Sequence, residues 1–157
     1  MGQRTGYILD KTEILIQELS GEASVRAPLL LTLGDMMSPP LRARPYVKSL
    51  TEKITAYGRL LVAVQEQPVG FLAFYANDPQ TKTAFITLIC VDSSTRGCGI
   101  GTMLLRACED ASRESGMLRL RLEVKKTNTA ARTFYKSSGF RDTGEETPET
   151  VFMEKQL

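Results

Sequence analysis

The chain has 157 residues, 42% of them hydrophobic and 24% charged, which is the balance of one soluble globular domain with a core of its own. Its formal net charge is only +2, and the pair Lys125-Lys126 is not a basic block, so nucleic acid is not expected as the principal partner. No apolar run approaches the ~18 residues that span a bilayer, and the N-terminus carries no signal-peptide core.

Asp10-Lys11-Thr12-Glu13 has the form of a capping box and predicts a first helix that buries Ile14, Leu15 and Leu19 and stops at Gly21. The apolar segment from Pro28 to Met37 predicts helix in part, broken by Ser38-Pro39-Pro40. Pro45 suits the first turn of another helix, with Val47, Leu50, Ile54 and Tyr57 on one face and Gly58 after it. From residue 59 the pattern changes to strands. Leu60 to Val64 and Val69 to Tyr75 flank a turn at Glu66-Gln67-Pro68. Asn77-Asp78-Pro79 turns the chain again into Thr83 to Val91. Three strands joined by short turns predict an antiparallel meander.

A glycine loop follows, Val91-Asp92-Ser93-Ser94-Thr95-Arg96-Gly97-Cys98-Gly99-Ile100-Gly101, and then an amphipathic helix over 100–115 that ends at Gly116. Leu118, Leu120, Leu122 and Val124 alternate with Met117, Arg119, Arg121 and Glu123, the signature of a strand with two unlike faces. Asn128 caps a helix with Ala131, Phe134 and Tyr135 on one side, Gly139 terminates it, and a last strand is expected near Thr150 to Lys155. There are no internal repeats and no low-complexity linker, so residues 1–157 read as a single domain.

The glycine loop carries the first chemical signal. Glycines reach backbone conformations closed to other residues and let a ligand approach without meeting a Cβ. The helix behind them offers unpaired N–H groups and the positive end of its dipole, which attract phosphate. Arg96 adds a permanent charge at the loop entrance. A nucleoside-triphosphate loop would need Gly-Lys-Ser/Thr, and Ile100-Gly101-Thr102 has no lysine. A dinucleotide fingerprint would need a third glycine where Thr102 stands, although Glu123 lies about 20 residues on, as that motif asks. An antiparallel meander before the loop, and too short a remainder after it, do not suit a doubly wound sheet.

Arg96-x-x-Gly99-x-Gly101 after a strand ending in Val91 resembles the pyrophosphate-binding motif of the GNAT superfamily of N-acetyltransferases. Leu122-Glu123-Val124, then Asn128-x-x-Ala131-x-x-Phe134-Tyr135-x-x-x-Gly139-Phe140, resembles that family's second signature. Phe152 to Leu157 resembles its last strand. The resemblance covers residues 59–157. It implies an α/β (α+β) GNAT fold, a mixed and mainly antiparallel sheet flanked by helices, in which residues 1–58 form a helical acceptor-side part. Those 58 residues match the family only in being helical, and its usual first strand is not visible in them.

By that resemblance the co-substrate is acetyl-CoA, without a metal, and the reaction is acetyl transfer to a primary amine by direct attack through a tetrahedral intermediate. The acceptor is a small molecule, an amino sugar or a protein N-terminus. The loop Arg96, Gly97, Cys98, Gly99, Ile100, Gly101 and Thr102 would hold the pyrophosphate. The pantetheine arm would lie along Ile89, Cys90 and Val91, with a backbone N–H near Val91 aimed at the thioester oxygen. Asn128 would contact the pantetheine region. Tyr135 occupies the position of the acid that protonates the departing thiolate, or else is a core aromatic on its helix's apolar stripe. Its unperturbed pKa of about 10 suits an acid.

Glu123 is the candidate base or water-organiser for the amine, or simply the ion-pair partner of Arg121. The chain has no histidine to serve instead. Arg132 and Lys136 could reach a 3′-phosphate, with a solvated helix face as the plainer expectation. Cys98 reads as loop filler rather than an acetyl carrier, and Cys90 and Cys108 as core. Arg42 and Arg44, in the loop after Met36-Met37-Ser38-Pro39-Pro40, hint at an acidic acceptor or are merely solvated. The three cysteines, without CxxC spacing, and the lack of histidine argue against zinc and for a reducing, cytoplasmic home. Monomer and homodimer are both open. The alternative function is a non-catalytic acetyl-CoA-binding module that regulates a partner.

Overall fold

The computed structural model describes residues 4–9 and 12–157. In chain order it contains β1 (Arg4–Leu9), β2 (Thr12–Glu18), α1 (Ala23–Gly34), α2 (Val47–Tyr57), β3 (Arg59–Val64), β4 (Pro68–Tyr75), β5 (Thr83–Val91), α3 (Ile100–Glu114), β6 (Arg119–Lys125), α4 (Thr129–Ser137), β7 (Arg141–Glu146) and β8 (Thr150–Gln156). The strands form one sheet in the order β1-β2-β3-β4-β5-β6-β8-β7. Every pair is antiparallel except β5 with β6, which the crossover through α3 makes parallel. Among the described residues no helix is long and apolar enough to cross a membrane.

The predicted first helix is a strand. Asp10 and Lys11 of the expected capping box lie outside the described residues. Ile14 and Ile16 are both buried, and Leu15 between them is only half-buried. That two-residue alternation of β-branched side chains matches a sheet, not a helix. Pairing with β3, with Ile16 opposite Ala63, fixes it. Residues 1–58 therefore hold β1, β2 and two helices rather than helices alone. In α2 the inward face is Thr51, Ile54 and Thr55, whereas Tyr57 at its C-terminal end is 66% exposed.

Two apolar layers sandwich the sheet. On one face Leu61, Leu72, Phe74, Ile86, Leu120, Leu122 and Met153 pack beneath Ile100, Met103, Leu104 and Cys108 of α3, with Tyr135 and Phe140 continuing that layer. On the other face Leu60, Val62, Phe71, Ala73 and Leu88 meet Leu30 and Leu33 of α1, Leu41, and Ile54 of α2. Buried charge is paired. Lys155 Nζ on β8 lies 2.7 Å from Glu109 Oε1 on α3. Arg59 donates to both carboxylate oxygens of Glu18 at 2.6 and 2.8 Å and to Ala111 O at 3.1 Å, which ties β2 and β3 to the end of α3.

β5 is irregular in a way its sequence conceals. Ala73 faces Leu88 across the ladder while Phe74 faces Ile86, which leaves Thr87 as an extra residue, a β-bulge. The bulge reverses the strand's sidedness. Ala84 and Ile86 belong to the α3 layer, Leu88 and Cys90 to the α1–α2 layer, and Ile89 and Val91 to the α3 layer again. It also ends the pairing with β6, which runs only from Thr83 opposite Arg119 to Ile86 opposite Leu122. Beyond that point the two strands separate.

Candidate functional site

The separation leaves β5 with an open edge. Asp92 donates its N–H to Val69 O at 2.8 Å, on the β4 side. Alternation along the antiparallel ladder then turns Cys90 toward β4 and aims the N–H and C=O groups of Ile89 and Val91 into the gap. Any chain lying in that gap can pair with them as an added strand would.

The strand passes into the glycine loop through a tight turn. Asp92 Oδ1 accepts from Ser94 N–H at 2.9 Å and from Ser94 Oγ at 3.0 Å, which holds the Asp92 carboxyl below the usual carboxylate range. Gly97 (φ +81°) and Gly99 (φ +78°) then take the left-handed conformation that favours glycine, and a Cβ on either would project into open space. Gly99 caps α3 without any side-chain hydrogen bond. The first helical bond runs from Met103 N–H to Gly99 O at 3.0 Å, so the N–H groups of Ile100, Gly101 and Thr102 have no partner within the helix. A Cβ on Gly101 would lie 3.1 Å from Phe134 Cζ, so this glycine lets α4 approach α3.

Edge, loop and α4 together enclose a cavity of about 670 Å³. Its walls include Ile89, Cys90, Val91, Arg96, Gly97, Gly99, Ile100, Gly101, Thr102, Asn128 and Tyr135, so residues from three separate sequence segments meet in one place. Cys98 is exposed and lies outside the wall. Thr95 and Ala130 also line it; Thr95 belongs to the loop but was given no role, and Ala130 carried no sequence signal. Ala131 and Phe134 line it too, although their helical spacing pointed only to the core.

Asn128 Oδ1 accepts from Ala131 N–H at 3.2 Å, so the helix occupies the carboxamide oxygen and the NH2 is what remains for a ligand. Tyr135 is a core aromatic that also reaches the cavity wall. It is 7% exposed, packed edge-on against Phe140 at 5.7 Å and tilted against Phe134 at 5.4 Å, and it lines the cavity. Burial pushes its phenol up to about 12, so it holds its proton throughout the neutral range. Cys90, also on the wall, has its thiol pushed up by burial.

Arg132 and Lys136 both face Asp142 Oδ2, at 3.8 and 3.5 Å. Glu123 is not paired with Arg121, which bonds Glu145 and lies over the Phe152 ring at 4.5 Å. Glu123 instead accepts a 2.6 Å hydrogen bond from Thr150 Oγ1. It is exposed and stands one residue past Leu122, the last residue of β6 opposite β5. Its neighbours Leu122 and Val124 face the α3 layer, so Glu123 faces the opposite side of the opening.

Comparison with known proteins places this geometry. The acetyltransferase (GNAT) family matches residues 32–140. An uncharacterized N-acetyltransferase of Methanocaldococcus jannaschii is 34% identical over 104 residues, 64% of this chain and 46% of that protein. The chain thus spans about half the length of the curated relative it matches. Among solved structures, the GNAT domain of S. lividans PAT superposes with a TM-score of 0.80 at 16% identity, over 98% of this chain and 97% of that one. The PaiA N-acetyltransferase of Thermoplasma acidophilum, solved in complex with coenzyme A, superposes with a TM-score of 0.69 at 18% identity, over 90% of this chain and 99% of that one.

Proposed function

Because this chain belongs to the acetyltransferase (GNAT) family, we propose that it transfers the acetyl group of acetyl-CoA to a primary amine by direct attack. The observation that carries the reading is that one cavity joins an open strand edge, an uncapped helix N-terminus and a protonated phenol.

Each part has a task. The free N–H groups at the start of α3, with Arg96, hold the diphosphate. The Ile89 and Val91 backbone pairs with the amides of the pantetheine arm, and the Val91 N–H stabilises the negative charge that develops on the thioester oxygen. Asn128 steadies the arm through its NH2. A lysine-like amine has a pKa of about 10, so it must lose a proton before it attacks. Glu123, on the other side of the opening, is the group we assign to take it, directly or through water. Tyr135 returns a proton to the departing thiolate. A phenol pushed up to about 12 stays protonated until the thiolate demands the proton. The three free cysteines suit a reducing compartment.

The test is thiol release from acetyl-CoA against a panel of amines, for the wild type and Tyr135→Phe. Tyr135→Phe is expected to lower kcat about a hundredfold, as loss of a general acid does, and to keep the wild-type Kd for CoA. With Tyr135 protonated up to about 12, wild-type kcat/KM should rise with pH as the amine deprotonates and show no descent below pH 10. CoA binding without thiol release from any amine would favour a non-catalytic CoA-binding module. Undiminished turnover in Tyr135→Phe would remove the acid role.

A further inference from the structure

The apolar layer beneath α1 and α2 ends at β5. Among the described residues it takes no side chain from β6, β7 or β8, so it does not seal that half of the sheet face. Side chains there stand in register. Thr83 lies opposite Arg119, Phe85 opposite Arg121, Arg121 opposite Glu154, and Glu123 opposite Phe152. Directly opposed residues share a face, and the alternating Ala84, Leu120 and Leu122 go to the α3 layer. Arg119, Arg121 and Glu123 therefore form one line along β6, about 13 Å from first to last.

The far end of that line is hollow. A second cavity, of about 410 Å³, has Thr83, Phe85, Arg119, Arg121 and Glu154 in its walls and shares no residue with the first. Arg121 reaches from it toward Glu123: its guanidinium lies 4.5 Å from the ring centre of Phe152, the residue across from Glu123. Arg121 Nη2 is bonded to Glu145, which leaves Nε and Nη1 uncommitted. Arg119 donates from Nη2 to Thr81 O at 3.1 Å, and its Nη1 stands 4.0 Å from Glu154, too far for a hydrogen bond. The cavity thus presents guanidinium donors and a carboxylate acceptor that the chain itself does not use up. The arginines between α1 and α2 line neither cavity. Arg42 bonds Asp35 Oδ1 at 3.0 Å, and Arg44 bonds the Tyr46 hydroxyl at 3.3 Å.

Resting on the acetyl-transfer reading, we infer that the acceptor is the N-terminal segment of a polypeptide, its amine at Glu123 and its next three residues extended past Arg121 into the second cavity. An extended chain advances about 3.3–3.6 Å per residue, so four residues cover the ~13 Å from Glu123 to Arg119. A single amino acid or one sugar ring at Glu123 stops short of the cavity. The lining decides between longer ligands. A peptide backbone carries N–H and C=O groups in equal number and needs acceptors and donors together. A phosphorylated acceptor would set its charge against Glu154, and a polyamine would set its charges against two guanidiniums. Side chains hold the peptide here, because β5 is paired on both sides at Phe85 and Ile86.

The experiment compares acceptors of growing length at saturating acetyl-CoA: alaninamide, the tetrapeptide amide of alanine, glucosamine and its linear tetramer. The expected result is a kcat/KM at least tenfold higher for the tetrapeptide than for alaninamide, gained through KM, and higher than for the sugar tetramer. Thr83→Phe keeps a strand-forming residue and fills the cavity, so it should bring the ratio of tetrapeptide to alaninamide close to one, with the Kd for CoA reporting an intact fold. Arg119→Ala, a second change in the same wall, should cut that ratio at least threefold and decides the matter if Thr83→Phe also loses CoA. Equal use of alaninamide and tetrapeptide, a better sugar tetramer, or a ratio that neither variant lowers would each overturn the inference.

If no amine is acetylated, alaninamide and the tetrapeptide are titrated calorimetrically onto the CoA-saturated protein. Tighter binding of the tetrapeptide that Arg119→Ala weakens sustains the peptide site and defeats acetyl transfer. Equal binding of the two, a preference that Arg119→Ala leaves intact, or no binding of either defeats the peptide site.

Discussion

The two sides of the opening between β5 and β6 are built from different materials. On the α3 side the groups we propose for the co-substrate belong to the backbone: the edge of Ile89 and Val91, and the free N–H groups behind two left-handed glycines. On the opposite side the group we propose is a side chain, Glu123, held by Thr150 from a neighbouring strand. Backbone groups suit what every acyl-CoA shares, a diphosphate and a chain of amides. Side chains can be exchanged without disturbing the sheet, so the face that must discriminate among acceptors is the one built from them.

The largest expected effect breaks the backbone side alone. Gly99 and Gly116 both have φ near +80° and open space where a Cβ would go, but only Gly99 lines the cavity. Alanine at either should cost about 1–2 kcal/mol of stability for the left-handed conformation. Gly99→Ala should in addition raise the Kd for CoA at least tenfold, because its Cβ occupies space the diphosphate needs, a loss of about 1.4 kcal/mol or more. Gly116→Ala should bind CoA as the wild type does. Denaturation curves and CoA titrations on the pair check this, and equal CoA affinities would show that the loop does not cradle the ligand.

A smaller effect should appear on the other side from Gly34→Ala. The substitution suits a helix, but the added Cβ collides with Leu41 and must displace the connection between α1 and α2, which lies on the expected acceptor side. Overpacking of this kind costs about 1–3 kcal/mol. Misplaced positioning groups weaken catalysis, and here the KM for the acceptor should rise about tenfold while CoA affinity holds. Steady-state kinetics with each substrate varied separately would show it. A change in CoA Kd instead would mean the two sides are not independent.

The same contrast governs what could be read in the sequence. The glycine loop was legible because its chemistry is local: left-handed φ and unpaired N–H groups follow from glycines ahead of an amphipathic run. Asn128 and Tyr135 were legible for the same reason, as a cap and an inward helix face. β2 was misread because Asp10-Lys11-Thr12-Glu13 has the sequence of a capping box, and only pairing with β3 decides for the strand. β7 was not anticipated, since all six of its residues are exposed, Gly144 interrupts it, and β8 alone makes it a strand. The bulge at Thr87 left no mark, because Thr83 to Val91 is uniformly β-forming. Nor could spacing show that Arg121 would pair with Glu145 and leave Glu123 to Thr150.

That exchange of partners gives the smallest effect and the finest test. Glu123→Gln keeps an oxygen that can accept from Thr150 but removes the charge and the basicity. Thr150→Val keeps the carboxylate and removes the bond. If Glu123 takes the amine's proton, Glu123→Gln should lower kcat/KM by about three- to tenfold, less than a buried base would lose, because water reaches this exposed position and can serve in part. The acidic limb of its pH–rate profile should also move. Thr150→Val should leave both nearly as they were, since the carboxylate remains. Equal losses in the two variants, with no movement of the acidic limb, would make Glu123 a structural partner of Thr150. Deprotonation of the acceptor would then belong to solvent alone.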